Sequence, residues 1–151
     1  MQFSMEMPIP RLQRTQNMSA TLILNRNKYD SSKQALHDLH WLPMKARINF
    51  KLLTYMFNCS VGNAPKYLIE LLCSKATNRT LRSSESTVGC FDVPFNKNKT
   101  FSDRSFSTIG PKLWNELPIH VRNSHSINSF KKDLKAHLFR EFFALFWKHL
   151  V

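Results

Sequence analysis

Between Pro43 and Gly62 the apolar residues recur at helical spacing. At about 100° per residue, Met44, Ile48, Leu52 and Tyr55 fall on one side of a helix, and Ala46, Phe50, Leu53 and Phe57 fall on another. Arg47, Lys51, Thr54 and Asn58 form a narrow polar seam between them. A helix apolar on two sides is predicted to be central, with neighbours on both flanks. Pro43 suits its first position, where a missing N–H costs nothing. Gly62 suits the chain reversal beyond its end.

The remaining pattern is also mainly helical. Met1 to Pro10 reads as a disordered lead-in, with Pro8 and Pro10 favouring an extended path. Arg11 to Leu24 reads as a helix with Leu12, Thr15, Ser19, Leu22 and Ile23 on one face and Arg14, Asn17 and Thr21 opposite. Ser32 or Asp30 is placed to cap a short helix through Leu39. Pro65 opens another, with Tyr67, Leu68, Leu71 and Leu72 as its expected buried side. Cys73 to Thr87 is rich in Ser, Thr and Asn and reads as a loop. Phe91, Val93 and Phe95 then alternate with Asp92, Pro94 and Asn96, an edge-strand signature. A turn at Asn96–Lys99 and a return at Thr100–Phe101 complete the expected hairpin.

Ser102 is placed to cap a helix from Asp103 towards Glu116, lined by Phe106, Ile109, Leu113 and Leu117, with Gly110-Pro111 expected to kink or restart it. A last helix starts near Ser126 or Asn128 and buries Ile127, Phe130, Leu134, Leu138, Phe142 and Leu145. Beyond Leu138, Phe139, Phe143, Phe146 and Trp147 cover its other sides. The predicted fold is a small, mainly α domain of about six helices with a short β-hairpin. It spans residues 11–138, after the lead-in 1–10, and residues 139–151 form an apolar tail continuing the last helix. That tail either folds back or offers an apolar patch to a protein partner.

Charge adds a partner to this picture. Lys and Arg number 22 against 10 Asp and Glu, a net charge of +12, which predicts an RNA or DNA backbone as the partner. Arg11, Arg14, Arg26 and Lys28 cluster around the first helix. Arg79, Arg82, Lys97, Lys99 and Arg104 cluster around the loop and hairpin, and Lys131, Lys132 and Lys135 stripe the last helix. Such groups can track phosphates without reading sequence. Phe91, Phe95 and Phe101 have the rings to stack on bases, but core packing is the stronger expectation, as it is for Trp41 and Trp114.

The three cysteines, Cys59, Cys73 and Cys90, are odd in number and far apart, so a disulfide framework is not expected. A reducing, intracellular compartment follows, nuclear or cytoplasmic. Met1 to Gln16 lacks the apolar core of a signal peptide. No apolar run reaches the ~20 residues of a membrane span. His37 and His40 lie three apart, but no Cys-x-x-Cys accompanies them, and a structural role is expected. None of the ten acidic residues adjoins another, and the three glycines are scattered. No metal, cofactor or catalytic residue is expected.

The string "LHDLHWLPMKARINFKLLTYMF", followed after a Gly by "APKYLIELL", resembles the segment downstream of the reverse-transcriptase domain in LINE-type (non-LTR) retrotransposon polyproteins of the jockey-like group. "LQRTQN" at Leu12–Asn17 resembles the opening helix of that segment, and "RTLRSSES" at Arg79–Ser86 its basic, serine-rich link. "FDVPFNKNKTFSDRSFSTIGPKLWNELPIHVRNSHSINSFKKDLKAHLF" resembles the end of such polyproteins. The likeness covers about Arg11 to Phe139. It implies descent from an endonuclease and RNA-directed DNA polymerase whose palm holds two metal ions on clustered aspartates. This chain has no Asp-Asp pair. The resemblance therefore implies a remnant without the catalytic palm or the endonuclease, not an enzyme, and a basic module that handles nucleic acid. The alternatives are a protein-interaction scaffold and a decayed transposon reading frame with no selected function.

Overall fold

A computed structural model describes residues 9–27, 29–72, 89–95 and 105–147. Among these the protein is mainly helical, with seven helices: α1 (Ile9–Ile23), α2 (Ser32–Asp38), α3 (Met44–Ser60), α4 (Lys66–Glu70), α5 (Phe106–Glu116), α6 (Ile119–Arg122) and α7 (Ile127–Trp147). They fall into two compact units. The first takes the described residues up to Ile48 together with those from Lys135 onward. The second takes those from Asn49 to Leu134. Both boundaries fall inside helices, α3 and α7, rather than near the Cys73–Thr87 stretch, which lies outside the described residues. Among the described residues no helix is long and apolar enough to cross a membrane.

Three of the helices end in the same way, and the sequence explains why. After α1, Asn25 takes a left-handed backbone (φ 48°), its N–H bonding to Leu22 O and that of Arg26 to Thr21 O. After α2, His40 (φ 51°) repeats the pattern, with its N–H on His37 O and that of Trp41 on Leu36 O. After α3, Gly62 (φ 78°) does so again through Cys59 O and the Asn63–Asn58 bond. These are Schellman ends, which satisfy carbonyls that a helix terminus would otherwise orphan. Asn and Gly tolerate that backbone readily. A Cβ at Gly62 would meet no atom within 4 Å, so Gly62→Ala isolates the backbone cost. It should destabilise the chain by about 1–2 kcal/mol in a denaturant titration, and an unchanged midpoint would contradict the assigned conformation.

Starts are equally local. Ser31, rather than Ser32 or Asp30, caps α2, its hydroxyl accepting from the Gln34 N–H. Ser126 caps α7 as expected, accepting from the Ser129 N–H at 3.1 Å. Pro43 stands one residue before α3, where its carbonyl accepts the Arg47 N–H.

In the first unit, Ala20, Ala35, Leu36 and Phe143 form the buried centre, with Leu24, Leu39, Trp41, Phe139 and Phe142 packed against it. The buried face of α1 is not the predicted one. Gln16 and Ala20 point inward, while Leu12 (46% exposed), Leu22 (78%) and Ile23 (59%) point outward. The cause is a demand for hydrogen bonds at the Leu42–Met44 corner. Gln16 Nε2 donates to Leu42 O, and Gln13 Oε1 accepts from the Met44 N–H, both at 2.8 Å. Buried backbone groups must be paired, and here the glutamines pair them.

The second unit is built on an aromatic stack. Phe57 lies against Phe130 at 4.4 Å between ring centroids, Phe130 against Trp114 at 5.8 Å, and Trp114 against Phe91 at 6.1 Å. Leu53, Met56, Val121 and Leu134 complete the buried set. Gly110 is required by close approach, since a Cβ there would lie 2.7 Å from Met56 Sδ. α5 runs unbroken through Gly110-Pro111, both buried, instead of restarting there. Its start is Ser105, while Ser102 and Asp103 lie outside the described residues.

The predicted two-sided burial of α3 is only half met. Ala46, Leu53 and Phe57 are buried, with Met56 and Cys59 beside them. On the other flank Ile48 and Tyr55 are exposed. α4 buries none of its residues, and Tyr67 and Leu71 are exposed. Among the described residues the expected hairpin is not seen, and its turn at Asn96–Lys99 lies outside them. Phe91 holds a single β-bridge position, residues 92–95 are not in a strand, and Thr100–Phe101 lies outside the described residues. The Asn115 side chain takes both edges of Phe91, accepting from its N–H at 3.0 Å and donating to its carbonyl at 2.8 Å. Phe95, expected to join a buried face, is 92% exposed.

Candidate nucleic-acid interface

In the first unit the glutamine bonds just described join α1 to the start of α3, two segments that carry basic residues. α1 contains no acidic residue, and its Arg11 and Arg14 are both exposed. Gln13 joins α1 to the first turn of α3 through Met44. The immediate neighbours of the two bonded residues, Arg14 and Lys45, are both exposed. The start of α3 carries the positive end of its helix dipole, which adds to the same field. Arg47 is fixed nearby, its Nε donating to Leu42 O at 2.9 Å and its guanidinium lying 5.7 Å from the Trp41 ring centroid. Lys45 and Arg47 were not among the sequence-predicted contacts. Arg47 sat in the polar seam of α3, and nothing in the sequence tied that seam to α1.

Arg26 is spent elsewhere. Its Nη2 donates to Asp38 Oδ2, in a pair that ties the α1 end to α2. Burial pushes the Asp38 carboxyl upward. Hydrogen bonds from Gln34 and His37 and the Arg26 charge outweigh it, so the group sits below its ordinary value of 3.8. A carboxylate depressed on folding stabilises the fold above its ordinary value, and that stability is lost as the pH falls through the lowered one. The stability gap between wild type and Asp38→Asn should therefore be present at neutral pH and close in acid below the ordinary carboxylate range, as read by urea titrations across pH. A gap independent of pH would refute the pairing.

The other predicted contacts that are described, Lys131, Lys132 and Lys135, are all exposed on α7. Lys135 is exposed in the first unit, and Lys131 and Lys132 are exposed in the second. Lys28, Arg79, Arg82, Lys97, Lys99 and Arg104 lie outside the described residues.

His37 and His40 are occupied by packing. His40 stacks on Phe139 at 5.5 Å and 10° between ring planes, and His37 meets Phe139 at 5.4 Å and Phe143 edge-on at 5.2 Å. Among the described residues no three His, Cys, Asp or Glu side chains gather as metal ligands. The same contacts revise the reading of the tail as an open apolar patch. Phe143 is buried, and Phe139 and Phe142 are half-buried, in the core of the first unit. The Leu145, Phe146 and Trp147 side chains and residues 148–151 lie outside the described residues.

No family model, curated protein or solved structure matches the chain.

Proposed function

We propose that this chain is a non-catalytic nucleic-acid-handling module, a remnant of a non-LTR retrotransposon RNA-directed DNA polymerase that holds RNA or DNA by its phosphates. The observation that carries the reading is the acid-free helix α1, with Arg11 and Arg14 exposed and Lys45 beside the Gln13–Met44 bond. A net charge of +12 supports it by drawing polyanions towards the whole molecule. The resemblance of Leu36–Leu72 and of the C-terminal strings supplies the polymerase origin. Exposed cations suit sequence-independent backbone contact rather than base readout.

The test is fluorescence anisotropy with labelled single-stranded RNA, single-stranded DNA and duplex DNA across a salt series. Each phosphate neutralised contributes about 0.7 to the log–log salt slope for single strands and about 0.9 for duplex DNA. Arg11→Gln with Arg14→Gln should lower the slope by about 1.5 and weaken all sequences alike. A flat salt response in the wild-type chain would end this reading.

A protein-interaction role is the second reading. The observation favouring it is the outward row of Leu12, Met18, Leu22 and Ile23 on α1, not the tail. Met18→Gln with Leu22→Gln separates the two, since it makes those positions polar while keeping α1 free of acid and leaving Arg11 and Arg14 in place.

A further inference from the structure

The cations and the apolar side chains of α1 share one outward stripe. At about 100° per residue, Arg11, Met18 and Leu22 fall within about 40° of one another, and Arg14 lies about 40° from Met18. All four side chains are exposed, Met18 at 65% and Leu22 at 78%. Arg11 and Arg14 occupy the N-terminal half of the stripe and Met18 and Leu22 the C-terminal half, with Arg14 and Leu22 about 12 Å apart along the axis. Leu12 and Ile23, also exposed, adjoin it. The C-terminal half offers a phosphate little. It carries the negative end of the helix dipole, and Arg26, the next cation along the chain, is taken by Asp38.

We propose that this stripe selects single-stranded nucleic acid, with phosphates on Arg11 and Arg14 and bases against Met18 and Leu22. The inference rests on the phosphate-binding reading and narrows its ligand to single strands. A duplex presents its sugar–phosphate strands outward and keeps its bases stacked. Laid along the stripe, it would set phosphates over Met18 and Leu22, where no donor replaces the water they lose. A single strand carries the same negative charge, and its bases are free to turn their faces to a protein surface. Charge then meets charge at the N-terminal half, and apolar base faces cover the apolar half. Stacking of this kind tolerates any base, so the contact stays independent of sequence.

The experiment uses the full chain and labelled DNA probes of equal length: a single strand, the same strand with its central positions abasic, and the duplex. The abasic strand keeps every phosphate and loses the bases that would cover the stripe. Fluorescence anisotropy across a salt series should show the intact strand binding about tenfold tighter than the abasic one, with the same salt slope. Met18→Gln with Leu22→Gln should bring the two strands level and leave duplex affinity and the salt slopes unchanged, with circular dichroism confirming the fold. Arg11→Gln with Arg14→Gln should weaken every probe and keep the preference for the intact strand. Equal binding of intact and abasic strands by the wild type, or a preference that survives Met18→Gln with Leu22→Gln, would overturn the single-strand assignment while the phosphate reading stands. A flat salt response of every probe would remove both. Sedimentation velocity covers the other occupant: a wild-type dimer that disperses in Met18→Gln with Leu22→Gln, beside equal binding of the two strands, would assign the stripe to a second copy and overturn the proposal. Should that variant fail to fold, the intact-to-abasic ratio of the wild-type chain decides the matter.

Discussion

Trp114→Ala is expected to cost about 3–5 kcal/mol, the upper range for deleting a buried aromatic side chain. Trp114 is 2% exposed and touches both Phe130 and Phe91 in the aromatic stack. Truncation opens a cavity at the centre of that stack. It also strips the Gly89 carbonyl of its Nε1–H donor, so a packing loss and a hydrogen-bond loss add at one position. A domain with a typical stability of about 5–15 kcal/mol would lose a large share of it. Denaturant unfolding followed by circular dichroism reads the effect. Trp114→Phe keeps most of the ring and loses the N–H, so it should fall well short of the alanine cost. Equal costs for the two variants would mean that the hydrogen bond, not the stack, holds Phe91 and Gly89 to α5.

Trp114 also shows what the sequence could and could not say. Its burial was legible, because a helix of alternating apolar and polar positions with one Trp has few other places to put that ring. Phe130, Leu134 and Leu138 of α7 were legible for the same reason, with a regular 3.6-residue period and no competing demand. The strand at Phe91–Phe95 was not. Alternation there is genuine, but the partner of Phe91 is a side chain 24 residues away, Asn115, and no local pattern announces it. The second flank of α3 differs from its pattern for a related reason. Ile48 and Tyr55 have the right period for burial, yet period alone does not say whether anything lies opposite. As for the basic face, its sign was plain from composition, while its placement depends on one bond, Gln13 to Met44, that brings Lys45 beside α1.

The His40-Trp41-Leu42-Pro43 string now has a physical account of its own. His40 makes the left-handed residue that ends α2, Trp41 follows it and packs on the core beside Leu36, Leu42 turns its carbonyl to Gln16 and Arg47, and Pro43 opens α3. Each of the four is tied to a different requirement of one corner. A string of that kind is expected to persist wherever the corner does, whatever the rest of the chain has come to do.

That corner yields the second large effect, at the helix whose face was misread. Gln13→Leu together with Gln16→Leu makes α1 more apolar and, by hydrophobic pattern alone, should be neutral or stabilising. The bonding predicts the opposite. Gln16 is 6% exposed and aims its amide at Leu42 O, and Gln13 supplies the acceptor for the Met44 N–H at the first residue of α3. Leaving a buried backbone group unpaired costs about 1–3 kcal/mol, and Leu42 O keeps the Arg47 Nε donor, so the pair of substitutions should cost about 2–4 kcal/mol in total. The double-mutant cycle should show coupling, because Gln13 Nε2 also donates to Gln16 Oε1 at 3.2 Å and the two side chains share one hydrogen-bond network. The same variant reaches the functional proposal, since it removes the Gln13–Met44 bond that joins α1, which carries Arg14, to the start of α3, which carries Lys45. Nucleic-acid affinity should then fall although no charge has been removed, and an unchanged affinity in a destabilised but folded variant would show that α1 and α3 bind phosphates separately.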